Sequence, residues 1–190
     1  MDRIVFATNN ANKLAEVQQM LPQFTIVGLK DIGCTEDIAE TATTLEGNAA
    51  IKANFVFQNF GLPCFADDTG LEVDALNGEP GVYSARYAGE PANAENNMQK
   101  LLAALINTED RTARFRTVIA YKTSKDLLYF EGACDGVILH EKHGEKGFGY
   151  DPIFKPNGFD SSFAEMTMDE KSKISHRGRA VQKFISYLKS

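Results

Sequence analysis

The stretch Gly61-Leu62-Pro63-Cys64-Phe65-Ala66-Asp67-Asp68-Thr69-Gly70 sets the tightest limit on the fold. Its apolar part reads as the entry to a buried strand, and that strand runs directly into two adjacent carboxylates. A carboxylate at a buried strand end is costly unless cations or hydrogen-bond donors meet it. Successive strand side chains point to opposite faces. If both aspartates are extended, only one can face a given ligand. The other finds donors on the far side or belongs to a turn. Thr69-Gly70 is expected to break the strand, because glycine permits a turn that few other residues make.

The rest of the chain supplies partners for such a strand. Arg3 to Ala7 reads as a first strand. Asn12 to Leu21 reads as a helix with Leu14, Val17 and Leu21 on one face. Thr43 and Glu46 have capping-box spacing and open a helix to about Phe60, with Leu45, Ala49, Ala53, Val56 and Phe60 as its apolar stripe. A helix from Asn93 or Ala94 to Ile106 turns Met98, Leu101, Leu102 and Leu105 inward. Strands at Ala113–Lys122 and Leu127–Leu139 flank a hairpin turn at Lys125-Asp126, so part of the sheet is expected to be antiparallel. A last helix, Ser175 to Leu188, buries Val181, Phe184, Ile185 and Leu188. The pattern predicts an α/β or α+β fold around a mixed sheet.

With 190 residues, 43% of them hydrophobic, the chain can build one well-cored domain or one domain with two lobes. The net charge of −6 and the lack of a Lys/Arg run argue against a nucleic-acid polymer as partner. A small anionic ligand remains open, since local cations matter more than the total. Cys34, Cys64 and Cys134 have no metal-knuckle spacing and read as reduced thiols of a cytoplasmic protein. The chain has no basic leader with a long apolar stretch, and no apolar run of membrane-spanning length.

Four places could carry chemistry. Thr8-Asn9-Asn10-Ala11-Asn12-Lys13 leaves a strand for a helix, where backbone N–H groups and Lys13 favour an anion. The same run also fits a polar turn with Asn12 as N-cap. Glu40 and Asp68 are two carboxylates of the kind that, with substrate oxygens, hold a hard divalent cation. Glu40 equally fits a solvated position in an acidic loop. In Lys146-Gly147-Phe148-Gly149-Tyr150-Asp151-Pro152 the flanking glycines could leave one ring face of Phe148 open for a nucleobase. A tight turn with Phe148 in the core is the alternative. Lys171 and Arg177 are cations near the last helix, Arg177 with a fixed fork of donors. His176 alone says little, and His140 and His143 read as surface residues. Lys52 and Arg86 are further cations. Together the set matches a nucleoside triphosphate piece by piece.

Five motifs in order carry a resemblance over essentially the whole chain. They are Thr8 to Lys13, Ala66-Asp67-Asp68-Thr69-Gly70-Leu71, Pro80-Gly81-Val82-Tyr83-Ser84-Ala85-Arg86-Tyr87, Gly147 to Pro152, and Ser175-His176-Arg177-Gly178. The sequence closely resembles the inosine/xanthosine triphosphate pyrophosphatase family. The resemblance implies a single domain over residues 1–190, an elongated two-lobed fold around a central mixed sheet, an active site in the inter-lobe cleft, and a homodimer. It implies a cytoplasmic hydrolase that cleaves ITP, dITP or XTP to the monophosphate and pyrophosphate with magnesium (Mg2+). Thr8, Asn9, Asn10, Ala11, Asn12 and Lys13 would hold the triphosphate, helped by Lys52 and Thr69. Glu40 and Asp68 would be metal ligands, Asp68 also the proton acceptor. Phe148, Gly149, Tyr150, Asp151, Lys171, His176 and Arg177 would hold the nucleoside. A donor such as Arg177 aimed at the position-6 oxygen would favour oxo bases over adenine. Asp67 is left as a supporting partner or a turn-former. Asn9 stands where the family usually has Gly, and Thr69 where bacterial members often have Ser. Asn tolerates left-handed backbone, and Thr keeps the hydroxyl. A nucleotide sensor without turnover and a phosphatase releasing orthophosphate are the rival classes.

Overall fold

A computed structural model describes residues 2–189, so Met1 and Ser190 of the expected domain lie outside the described residues. The strands are β1 (Asp2–Phe6), β2 (Phe24–Val27), β3 (Cys64–Val73), β4 (Pro80–Gly81), β5 (Thr112–Lys122), β6 (Leu127–Ile138) and β7 (Phe154–Pro156). The helices are α1 (Ala11–Met20), α2 (Leu45–Phe60), α3 (Ala94–Ala104), α4 (Met168–Ile174) and α5 (His176–Leu188). The sheet order is β2-β1-β3-β5-β6-β7, with β4 paired to β3. β1 is parallel to β2 and β3, whereas β3/β4 and β6/β7 are antiparallel. The fold is therefore α/β with a central mixed sheet. β5 and β6 are neighbours joined by a turn in which the Thr123 N–H donates to the Asp126 carbonyl at 3.0 Å, where a hairpin was expected.

The chain divides into two compact units. The first holds the residues up to Asp68, Thr117–Gly132 and those from Arg177 on. The second holds Thr69–Arg116 and Ala133–His176.

In the first unit, β3 is buried on both faces. Cys64 and Ala66 pack with Ala49, Ala53 and Val56 of α2. Phe65, on the other face, packs with Val17 and Leu21 of α1 and Ala180, Val181 and Phe184 of α5. Its ring stacks on Phe6 at 4.5 Å between centroids. The second unit closes around Leu71 and Val73, the α3 residues Met98, Leu101 and Leu105, and Phe115, Phe154 and Phe163.

Four local expectations change. The N-cap of α1 is Asn10 rather than Asn12, because its Oδ1 accepts the Asn12 and Lys13 N–H groups. The N-cap of α2 is Thr44, which accepts from the Gly47 N–H, one residue after the Thr43 expected. β2, β4, β7 and α4 are additional elements.

The fourth change concerns the aspartate strand. β3 runs unbroken from Cys64 to Val73, so Thr69-Gly70 does not end it. Gly70 is needed for a different reason. A Cβ there would lie 2.7 Å from the carbonyl oxygen of Gly81 on β4, which pairs alongside at Leu71. The glycine admits a neighbouring strand instead of making a turn.

Candidate functional site

Strand alternation separates Asp67 from Asp68, and the helices on the two faces of β3 decide what each meets. Asp67 points to the side of α1 and α5. Its Oδ1 accepts from the Lys13 ammonium at 2.7 Å, and its Oδ2 from the Arg177 Nε at 3.2 Å. Arg177 also pairs through Nη1 with Glu16 of α1. Asp67 and Arg177 are each 2% exposed, so this cluster has little solvent screening. Burial alone would push the Asp67 carboxyl up. Lys13, Arg177 and Lys52 outweigh that and hold it well below the usual carboxylate range. Asp67 is thus a fixed anion that orders two cations.

Asp68 points to the side of α2. Its Oδ2 accepts from the Asn48 amide at 3.0 Å. Burial raises its carboxyl above the usual range against the pull of Lys52, and the nearby Glu40 carboxylate adds to the rise. The Lys52 ammonium is 2.5 Å from Glu40. Burial opposes its charge, yet Glu40, Asp68 and Asp67 hold it above the ordinary lysine range. The first unit therefore gathers Glu40, Lys52, Asp67, Asp68 and Lys13 around the middle of β3. At Asp68 burial outweighs the cations around it, whereas at Asp67 the cations win.

The Thr8–Lys13 run lies beside this cluster's Lys13. The Asn10 N–H is bonded to the Thr8 hydroxyl at 3.1 Å, and those of Asn12 and Lys13 to Asn10. An anion here would therefore meet the exposed carboxamides of Asn9, Asn10 and Asn12 and the Lys13 charge more than open backbone amides. Ala11 sits exposed at the helix start. Asn77 is the one non-glycine at positive φ among the described residues, so Asn9 stands in place of Gly without left-handed strain.

The second unit holds a separate group. Lys171 of α4 donates to Asp151 Oδ2 at 2.7 Å, and both are buried. The same oxygen accepts the Phe148 N–H at 2.9 Å. Gly147 has φ +74°, and a Cβ there would run into the Asp151 carboxylate. Phe148 is half-buried rather than tucked into the core, with the Lys171 ammonium 4.9 Å from its ring centroid. The His176 ring stacks on Phe115 at 4.5 Å. Tyr150 turns inward, 5% exposed, and its hydroxyl donates to the Ser84 carbonyl at 2.7 Å. Gly149 has φ +61° and gives the loop its second bend. Thr69 is half-buried on β3.

Of the residues read from the sequence, Lys13, Glu40, Lys52 and Asp68 come together in the first unit, and Phe148, Asp151 and Lys171 in the second. Arg177 was grouped with the nucleoside residues. In the structure its Nε and Nη1 are engaged by Asp67 and Glu16 in the first unit. His140 and His143 are exposed, as expected. Cys34, Cys64 and Cys134 are buried thiols that form no disulfide.

Two residues escaped the sequence reading, Asn48 and Glu16. Asn48 and Lys52 lie three and seven places after Leu45, inside the buried stripe of α2. Polar residues on an apolar stripe are the signal that could have found them. Glu16 lies one turn after Lys13 on α1.

Adjacent aspartates split between a cation cluster and a second carboxylate, together with an aromatic ring beside a buried lysine, are the equipment of a protein that handles a charged, ring-bearing ligand such as a nucleotide. The comparisons agree. The sequence profile of the Ham1 family matches residues 4–187. The chain is 58% identical to a dITP/XTP pyrophosphatase of Flavobacterium johnsoniae, over 98% of this chain and 97% of that one. It is 56% identical to a dITP/XTP pyrophosphatase of Christiangramia forsetii, over 98% of each. The fold superposes on a HAM1 protein from Coxiella burnetii with a TM-score of 0.91, at 40% identity, covering 100% of this chain and 99% of the other. The chain belongs to the Ham1 family.

Proposed function

We propose that this protein hydrolyses deaminated purine nucleoside triphosphates (ITP, dITP and XTP) to the monophosphate and pyrophosphate. The observation that carries this reading is the division of labour between the adjacent aspartates of β3. Asp67 is a buried anion saturated by cations, and Asp68 is a raised carboxylate held beside Glu40. The relatives' names supply the substrate class.

Glu40 and Asp68 fit a divalent cation. Burial and the nearby Glu40 carboxylate raise the cost of ionising Asp68, and the Lys52 ammonium, 2.5 Å from Glu40, offsets part of that charge. Mg2+ takes one or two carboxylates together with substrate oxygens. Among the described residues no group of three or more His, Cys, Asp or Glu side chains suited to a metal occurs. When bound, the ion would neutralise phosphate charge and acidify a water.

The chain's own groups do the rest. A water attacks the α-phosphorus, its oxygen forms the new bond, and the bond from that phosphorus to the bridging oxygen breaks. Asp68 orients the water and takes its proton, and pyrophosphate leaves. Lys13, held by Asp67, and Lys52 stabilise the charge that grows on the leaving group. Thr8 to Asn12 and the Thr69 hydroxyl steady the phosphates.

Phe148 offers a face to the base, with Lys171 as the donor beside it and Asp151 fixing both. Gly149, Tyr150 and His176 belong to the same group in the second unit. A donor there suits the position-6 oxygen of hypoxanthine or xanthine, whereas adenine presents an amino group. Arg177 acts in this scheme through Asp67. The working protein is a cytoplasmic homodimer in this reading, and light scattering at twice the chain mass checks the oligomer. Among the described residues no helix is long and apolar enough to cross a membrane.

The direct test is Asp68→Asn. It should lower kcat on XTP by about 100- to 10,000-fold, the range general-base removal gives. Near-normal turnover in a folded variant would remove Asp68 from the mechanism.

A further inference from the structure

We infer that Asn48 is a positioning residue that sets the spacing between Glu40 and Asp68; the inference rests on the proposed function of that site. The Asn48 side chain is fully buried, at 0% exposure, on the face of α2 that packs against β3. Its amide nitrogen donates to Asp68 Oδ2 at 3.0 Å. Its amide oxygen accepts the N–H of Ala42 at 2.9 Å. Ala42 lies two residues after Glu40, in the loop that leads to Thr44 and the start of α2.

One carboxamide therefore ties the loop that carries one carboxylate to the side chain of the other. It rides on a helix that is itself locked by Ala49, Ala53 and Val56 in the core. Nothing else of similar size does both jobs. An aspartate offers no donor to Asp68, and a serine has one oxygen where two ends are needed. Lys52, one turn further along the same face, meets Glu40 directly. The two polar residues in the apolar stripe of α2 are thus a pair, Lys52 neutralising the carboxylates and Asn48 fixing their geometry. Residues that orient ligating groups in this way typically change metal affinity or activity by about 10- to 100-fold when altered.

The test uses Asn48→Ala with two readings. The first is steady-state release of pyrophosphate from XTP, where kcat should fall about 10- to 100-fold while the XTP KM stays near its wild-type value. The second is Mn2+ titration of the nucleotide-free protein by electron paramagnetic resonance, where binding should weaken by a similar factor. A purely structural role predicts lower thermal stability with neither change. Should Asn48→Ala melt below the assay temperature, the same readings are taken on Asn48→Ser. A folded variant with unchanged Mn2+ affinity, or with kcat within about twofold of wild type, overturns the assignment. If the wild type itself releases no pyrophosphate, the functional reading fails, and the Mn2+ comparison still decides the role of Asn48.

Discussion

Replacing Asp67 with Asn should damage stability far more than a one-atom change suggests. The substitution keeps the shape but removes the carboxylate that meets Lys13 at 2.7 Å and Arg177 at 3.2 Å. Breaking a buried pair by removing one partner costs about 3–5 kcal/mol, because a charge is left without its counter-charge. For a chain of this size each kcal/mol moves the melting temperature by about 2–4 °C, so the drop should be about 6–20 °C. The pH dependence has a definite sign. The Asp67 carboxyl is depressed in the folded state, so its contribution is complete above the unfolded value, near 3.9, and is lost as pH falls toward the folded value. Thermal melts of wild type and Asp67→Asn should differ by a constant amount from neutrality to about pH 4, and converge below it. Asp67→Asn combined with Lys13→Met should recover part of the loss, since one unpaired ammonium is gone. A shift under about 2 °C at neutral pH would refute the view that this aspartate organises buried cations.

Gly70→Ala should destabilise the second unit by about 1–3 kcal/mol, through overpacking against β4. Denaturant midpoints check this, and a neutral result would mean that β4 can move away from Gly81. Lys171→Met should narrow the preference for XTP over ATP by about 10-fold or more, since the donor proposed for the base is worth about 1–3 kcal/mol. An unchanged ratio of kcat/KM would take Lys171 out of base choice. The same change strands the buried Asp151 carboxylate, so a lower melting temperature should accompany it.

The strand alternation at Asp67 and Asp68 was legible in the sequence because its period is two and each residue must choose a face. The apolar stripes of α2, α3 and α5 were legible for the same reason, with their 3.6-residue period. The sequence did not tell what lay across each face. Glu16 and Arg177 are 161 positions apart in the chain, and no local pattern pairs them. Gly70 looked like a turn because the close approach of Gly81 is a tertiary contact. The α2 cap moved by one residue because Thr43 and Thr44 are both competent, and only the path of the preceding loop chooses between them. Asn48 is the clearest omission. Its position in a buried stripe was visible, but its two partners lie on a loop and a strand that only folding brings to it.

The most direct measurement is product identity. Purified protein is given XTP, ITP, GTP or ATP in turn, with and without Mg2+, and pyrophosphate and orthophosphate are measured separately. The account predicts stoichiometric pyrophosphate from XTP and ITP, dependent on Mg2+, with far less from GTP and ATP. Release of orthophosphate in place of pyrophosphate, or binding of XTP without any release, would contradict it.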